Sequence, residues 1–191
     1  MRLPHCLHPF RLLRCLCLIT TVVTLCTSCD DDVQSEFAKD RASFVCRNVS
    51  TIAPLNNALN SFGTFCMIWS DTQYYHFAST TTSAKVNKTQ TSLYSSYICY
   101  AGFIVGKAAI TTQGSNTYSL LCFDRVCPNC YRENGITKPL VFAESTSLVK
   151  CNSCGRVYDL NNRGIIQSGD KGRKLMRYGI NYGSDVMVIQ N

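Results

Sequence analysis

Apolar residues in the middle of the chain occur in short runs and do not follow a helical period. Runs rich in β-branched and aromatic residues lie at 62–69, 73–78, 94–104 and 118–123, separated by segments of Ser, Thr, Asn and Gly. Such runs are typical of β-strands. Short strands at this spacing predict an antiparallel β-sandwich or small barrel, so we expect a mostly β domain.

Two stretches depart from the strand pattern. Residues 79–91 are rich in Thr, Ser and Lys and show no apolar period, which predicts an exposed loop. Residues 56–60, beside Leu55 and including Leu59, predict a single helical turn. We find no internal repeat in the sequence.

The N-terminal apolar run has the features of an export signal. It extends from residue 15 to residue 26, follows three arginines, and no acidic residue precedes Asp30. A basic start, an apolar centre and small residues at the end are the order expected of such a signal. The run is too short to span a bilayer comfortably.

The end of this run resembles a bacterial lipobox. Thr27 and Ser28 are small and precede Cys29, which the resemblance implies would be acylated after cleavage. Residues 1–28 would then be a lipoprotein signal peptide and residues 29–44 the acylated cysteine with a polar tether. The acidic tract at 30–32 resembles that of exported Bacteroidota lipoproteins, which implies a lipid anchor in the cell envelope, at the outer membrane. A plain secretory signal with a coincidental Cys29 is the alternative.

Loss of the signal changes the charge balance of the chain. The full sequence has 19 basic and 12 acidic residues, a net charge of +7. Residues 1–28 contain three arginines and no acid, so the remainder has 16 basic and 12 acidic residues, or +4. The basic cluster at 171–177 is interpreted as a solvated loop face, and no nucleic-acid partner is expected. The remaining length suits one domain, which we place at 45–191.

Two cysteine pairs near the C-terminus predict a metal site. Cys127 and Cys130 form one C-x-x-C motif, and Cys151 and Cys154 form another, with Gly155 directly after it. A C-x-x-C turn brings two thiolates to one side of a tight loop, and two such turns complete a tetrahedron around zinc or iron. We expect a two-knuckle metal-binding subdomain at about 122–160. Disulfides or free thiols are the alternative in an oxidising compartment.

The other cysteines outside the signal lie in strand-like runs and are expected to be small core residues. They are Cys46, Cys66, Cys99 and Cys122. Cys122 is close enough in sequence to be a fifth ligand, although a core position is favoured. A disulfide from Cys46 to Cys66 or Cys99 stays open, since sequence does not give connectivity.

Nothing in the sequence indicates an enzyme. Outside the signal the chain has one histidine, His76, so a Ser/His/Asp set cannot be assembled, and no phosphate-binding glycine loop follows a strand. His76 is expected to face solvent from a strand. Aromatic residues such as Trp69 and Tyr100 could line a ligand surface, but sheet packing is favoured for most of them.

The segment after the second cysteine pair resembles the C-terminal half of a Rieske domain. The resemblance rests on residues 149–160, on Gly164 and Gly169, and on the runs at 175–178 and 186–189. It covers about 95–191 well and 45–95 loosely, and implies a Rieske-like antiparallel β-sandwich or small barrel. With the lipobox and the all-cysteine loops, the chain looks like Rieske-like lipoproteins of Bacteroidota.

The departure from that family bears on the metal. Each Rieske loop supplies a cysteine and a histidine, so the resemblance puts Cys127 and Cys151 at thiolate positions and Cys130 and Cys154 at the histidine positions. One histidine cannot supply two imidazoles, which excludes a conventional cluster. The first loop has two residues between its ligands, as in a rubredoxin or zinc-ribbon knuckle.

Three occupants of the site remain, namely structural zinc, one iron ion of rubredoxin type, and an all-cysteine [2Fe–2S] cluster. Two functions follow. One is electron transfer to a redox partner that the sequence does not identify. The other is a non-redox binding or structural protein of the envelope, in which zinc or disulfides staple a Rieske-like scaffold.

Overall fold

The computed structural model describes residues 37–39, 41–88, 93–97, 100–109 and 119–191. Contacts group Ser35–Asn191 into one compact unit. The predicted signal peptide, Cys29 and Cys99 lie outside the described residues. In the part of the chain that is described, no helix has the length and apolarity needed to cross a membrane.

The described chain forms thirteen strands and two α-helices. The helices are α1 (Ala53–Asn60), which follows a short 3-10 helix at Val49–Thr51, and α2 (Pro128–Asn134). The strands are β1 (Ser43–Arg47), β2 (Thr64–Ser70), β3 (Tyr74–Ala78), β4 (Ser83–Asn87), β5 (Leu93–Tyr97), β6 (Phe103–Lys107), β7 (Leu120–Asp124), β8 (Val141–Phe142), β9 (Leu148–Lys150), β10 (Val157–Asp159), β11 (Ile165–Ser168), β12 (Arg177–Gly183) and β13 (Val186–Gln190).

These strands form two antiparallel sheets. Nine strands pair in the order β4-β3-β2-β6-β7-β12-β13-β1-β5, and this sheet curls into a half-barrel. The other four pair in the order β11-β10-β9-β8. Helix α1 packs on β2 and β6. The prediction of a mostly β fold with a four-cysteine subdomain is confirmed.

The central strands of the large sheet are apolar on both faces, because each face covers a separate core. In β7, Cys122 belongs to the core that also contains Phe44, while Leu121 and Phe123 belong to the other core. That second core also contains Val149 and Leu160 from the region of the small sheet. Side chains alternate between the faces of a strand, so a strand buried on both faces has an uninterrupted apolar run.

One predicted element was wrong, and another was correct in type but too short. Residues 79–91 contain β4, which pairs with β3 at the edge of the large sheet, so this segment is not a continuous loop. An edge strand pairs with a neighbouring strand on one side only. It can therefore form from polar residues such as Ser83 and Lys85 and needs no continuous apolar run. The predicted helical turn is a full helix of eight residues, and Pro54 lies in its first turn, where a missing N–H costs nothing.

The N-terminal end of the compact unit contacts the large sheet. Phe37 bridges Arg177 in the parallel direction, and the Ala38 N–H donates to the Arg177 carbonyl at 2.8 Å. β1 begins at Ser43. Part of the segment predicted as a tether at 29–44 therefore takes part in the fold.

Candidate metal centre

The first cysteine pair lies at the start of α2. Cys127 is the N-cap residue, Pro128 occupies the first turn, and Cys130 lies in that same turn. The segment after α2 returns beside this cysteine pair, since the Cys127 N–H donates to the Lys138 carbonyl at 2.9 Å. Gly135 ends α2 with φ of 65°, a left-handed conformation that glycine adopts at low cost. Both thiols thus project from a short, closed turn.

The second cysteine pair forms the turn between β9 and β10. The Cys151 N–H donates to the Arg156 carbonyl at 3.0 Å, and the Gly155 N–H donates to the Cys151 carbonyl at 2.9 Å. Gly155 has φ of 73°. This left-handed glycine, directly after the second cysteine of the pair, reverses the chain so that β10 can pair with β9.

The four thiols meet at one point. All four Sγ atoms lie within 4.8 Å of one another. The Sγ atoms of Cys127 and Cys154 are 3.7 Å apart, as are those of Cys130 and Cys151. Each of these two contacts joins one knuckle to the other. Four thiolates at this spacing form a donor set that could hold a metal ion.

The site lies in an apolar surrounding that opens only at one edge. Cys127, Cys130 and Cys151 are buried in the second core, while Cys154 is partly exposed. Burial raises the pKa of the Cys127 and Cys130 thiols. Burial also opposes ionisation of Cys154, but hydrogen bonds from the Arg156 backbone and guanidinium outweigh it and lower the pKa of this thiol to about 7. Cys154 is therefore more easily ionised than Cys127 or Cys130 before a metal binds.

Tyr158 lies in β10 and connects this strand to the first cysteine pair. Its side chain is fully buried, and its hydroxyl lies 3.2 Å from Cys127 Sγ and accepts a hydrogen bond of 2.9 Å from Asn129 Nδ2. With its oxygen occupied as an acceptor, the hydroxyl can donate its proton to the sulfur. Hydrogen bonds of this kind orient a ligand and stabilise its thiolate form.

Asn129 and Arg156 hold the basic loop next to the site. Asn129 Nδ2 also donates to the Arg173 carbonyl at 2.9 Å, and its Oδ1 accepts from the Arg173 N–H at 2.8 Å. The Arg156 guanidinium donates to the carbonyls of Asp170 and Lys171 and pairs with Glu133 at 3.4 Å. The loop predicted as a solvated face is thus bound through its backbone to the turns that carry the four cysteines.

The remaining predicted residues lie apart from the site. Cys46, Cys66 and Cys122 are buried in the first core, so Cys122 is not a fifth ligand and the core prediction is confirmed. Burial raises the pKa of Cys46 to about 12. His76 lies in β3, partly exposed, with Nε2 2.6 Å from Asp71 Oδ2 and its ring stacked on Trp69.

Sequence reasoning missed the residues that surround the ligands. Asn129 lies between two cysteines and Tyr158 between two strand residues, and neither position has a local pattern that predicts a hydrogen bond to a sulfur or to a distant loop. Arg156 follows directly after the second knuckle, which was the one available signal. Contacts across 29 and 44 positions become visible only in the folded chain.

No protein family model matches the chain, and no curated protein has a significantly similar sequence.

Proposed function

We propose that this protein is a metalloprotein of the bacterial cell envelope whose four thiolates bind one iron ion in a rubredoxin-type site used for electron transfer. The observation that carries the proposal is the convergence of the Sγ atoms of the two knuckles within 4.8 Å. Four thiolates close the coordination shell and leave no position for a substrate, which fits a carrier better than a catalyst.

The spacing of the sulfurs supports one ion over a two-iron cluster. A metal–sulfur bond of about 2.3 Å places the corners of a tetrahedron about 3.8 Å apart. The separations of 3.7 Å between sulfurs of opposite knuckles agree with that edge. A [2Fe–2S] cluster divides its four thiolates between two irons on either side of bridging sulfides, and this requires a wider spread.

The chain's own residues suit a buried centre with one accessible edge. Iron in a four-thiolate site supplies a one-electron couple. Cys127, Cys130 and Cys151 exclude water by burial, and the donors at Tyr158 and Arg156 offset the negative charge of the thiolates. Cys154 is the partly exposed ligand, so a partner would approach from its side.

The proposal includes a Rieske-like scaffold with a lipid anchor. Two observations support the scaffold, namely the mostly β fold and the emergence of both ligand pairs from turns that follow or join strands. The lipobox-like segment ending in Cys29 supports the anchor, and the acidic tract after it supports an outer-membrane location.

Replacing Cys29 tests the anchor. Cys29→Ala should release the protein from the membrane fraction or stall its processing, because the variant lacks the thiol that would be acylated. Fractionation and the mass of the mature N-terminus measure this, with Cys17→Ala, upstream of the lipobox-like segment, as the matched control. Normal processing and membrane retention of Cys29→Ala would show that the lipobox interpretation is wrong.

A second candidate is a non-redox envelope protein in which zinc staples the scaffold. The observation that favours it is the origin of the ligands, two from the start of α2 and two from the β9–β10 turn. An ion held by both would cross-link the small sheet to the remainder of the chain. Such sites can contribute on the order of 10 kcal/mol to folding.

Metal analysis decides between the candidates. Residues 30–191 purified without oxygen should contain one iron and no acid-labile sulfide per chain, with a visible thiolate-to-iron absorption that Cys151→Ser abolishes. Cys122→Ser, at a buried cysteine outside the site, is the matched control and should keep the absorption. One zinc per chain without visible absorption would establish the structural zinc site. Two irons with sulfide would contradict the single-ion geometry. Oxidised thiols without metal would contradict both candidates that involve an ion.

A further inference from the structure

A half-buried arginine outside the metal site, Arg125, has no acidic partner among the described residues. The Arg125 guanidinium donates from Nη1 to the Ala101 carbonyl at 3.2 Å and from Nε to the Leu140 carbonyl at 3.4 Å. The ion pairs of the described residues are His76 with Asp71 and Arg156 with Glu133, and neither involves Arg125. A cation withdrawn from water without a counter-ion is costly, so its retention calls for an explanation.

The sheet holds Arg125 against Trp69 across a glycine. The Arg125 N–H donates to the Gly102 carbonyl at 2.9 Å, and a Cβ at Gly102 would lie 2.1 Å from the Ile68 carbonyl oxygen. With no side chain between them, the guanidinium lies 4.5 Å from the centre of the Trp69 ring. His76, the cross-strand partner of Trp69, stacks on the same ring at 5.1 Å. Trp69 and Arg125 are therefore fixed before any ligand arrives.

A cavity of about 190 Å³ opens beside this pair. Among the described residues, those that line it include one cation, three residues that carry a hydroxyl group, and apolar side chains, and none is acidic. The residues are Arg125, the hydroxyl-bearing Ser70, Tyr100 and Thr137, and the apolar Trp69 and Pro139. A guanidinium has five N–H groups. Two of them donate to the Ala101 and Leu140 carbonyls, so three N–H groups remain to donate to a ligand. This donor set suits an anion.

We propose that the cavity binds a small organic carboxylate, whose charged group pairs with Arg125 and whose apolar part lies against Tyr100 and Pro139. Pockets for drug-sized ligands have volumes of about 300–1,000 Å³, so a cavity of about 190 Å³ suits a smaller ligand. A single cation with apolar walls favours one negative charge, whereas a phosphate dianion would call for a second cation. The site is independent of the metal centre, since none of its residues is a ligand.

The only tryptophan of the chain lies in this cavity, so its fluorescence reports binding directly. The full-length, metal-loaded protein is titrated with benzoate, with the neutral benzamide of similar shape, and with inorganic phosphate. Benzoate should give a saturable change with a Kd of about 1 mM or tighter, and benzamide should bind at least about tenfold more weakly, because it lacks the charge. Equal binding of benzamide, preferential binding of phosphate, or no saturation with benzoate would overturn the proposal.

Variants locate the response. Arg125→Gln should weaken benzoate binding at least about tenfold, and Thr137→Val, which keeps the side-chain shape, about fivefold. Arg132→Gln, at an exposed arginine of α2 outside the cavity, is the matched control and should leave the Kd unchanged. If Arg125→Gln fails to fold, Thr137→Val decides. Unchanged affinity in the folded cavity variants would overturn the proposal.

Discussion

At the scale of single residues, two side chains that are not ligands, Asn129 and Tyr158, connect the first knuckle to the loop beside it. Asn129 lies within the first knuckle, between its two cysteines, and its amide bonds both the Tyr158 hydroxyl and the backbone at Arg173. A Cβ on Gly172 would lie 2.3 Å from Asn129 Oδ1, so the loop approaches this amide as closely as glycine allows. Tyr158 in turn bonds the Cys127 sulfur. The first knuckle is therefore positioned by groups that are not ligands.

Removing one hydroxyl tests this arrangement. Tyr158→Phe deletes the donor to Cys127 while keeping the buried ring, so metal affinity should fall about tenfold or more. Competition with a coloured chelator measures it. Tyr182→Phe, in β12 and away from the second core, is the matched control and should have the affinity of the unsubstituted chain. Equal affinities of both variants would show that the Tyr158 hydroxyl does not support the site.

At the scale of elements, the turn between β2 and β3 is held by one carboxylate. Asp71 accepts hydrogen bonds from His76 and from the backbone N–H groups of Tyr74 and Gln73. These bonds, with that of His76 the largest contribution, lower the pKa of Asp71 from 3.8 to about 2. Trp69 precedes this turn and stacks on His76, so the turn also supports the wall of the cavity.

The stability of this hairpin should depend on pH between about 4 and 2. The Asp71 pKa is lower in the folded chain than in the unfolded chain, so its contribution is complete above about pH 4 and is lost as pH falls towards 2. A carboxyl-carbon NMR titration should place the Asp71 midpoint near 2. In His76→Gln the midpoint should move towards 3.8, because the largest cause of the shift is weakened. A midpoint near 3.8 in the unsubstituted chain would contradict this account.

At the scale of the whole molecule, the two sheets differ in how they are stabilised. The large sheet has nine strands, α1 and a core on each face. The small sheet has strands of two to four residues, and its β9–β10 turn carries two of the four thiols. Strands this short have few ladder bonds of their own. We therefore expect the ion to matter most for the small sheet.

Metal removal should destabilise the small sheet and its ligand turns more than the large sheet. After chelation, the rate of amide hydrogen exchange should rise by about tenfold or more between residues 127 and 160. The reason is that metal binding contributes its free energy to the folding of the segments that supply the ligands. Exchange in β2 and β6 should change little. Restoring the metal should reverse the effect. Equal loss of protection in both sheets would show that the ion stabilises the chain as a single unit.

The sequence alone determined the features that depend on neighbours along the chain. A C-x-x-C motif brings its two sulfurs together through one local turn, so both ligand pairs and the glycine after Cys154 were predictable. Apolar runs predicted most central strands for the same reason. The sequence also predicted that the two pairs form one site, and the fold brings their four sulfurs together. Only the tertiary structure decided that β4 pairs at an edge, that Tyr158 lies beside the Cys127 sulfur, and that Asn129 bonds the Tyr158 hydroxyl. Those contacts join residues far apart in sequence, and sheet order, which no local pattern specifies, brings them together.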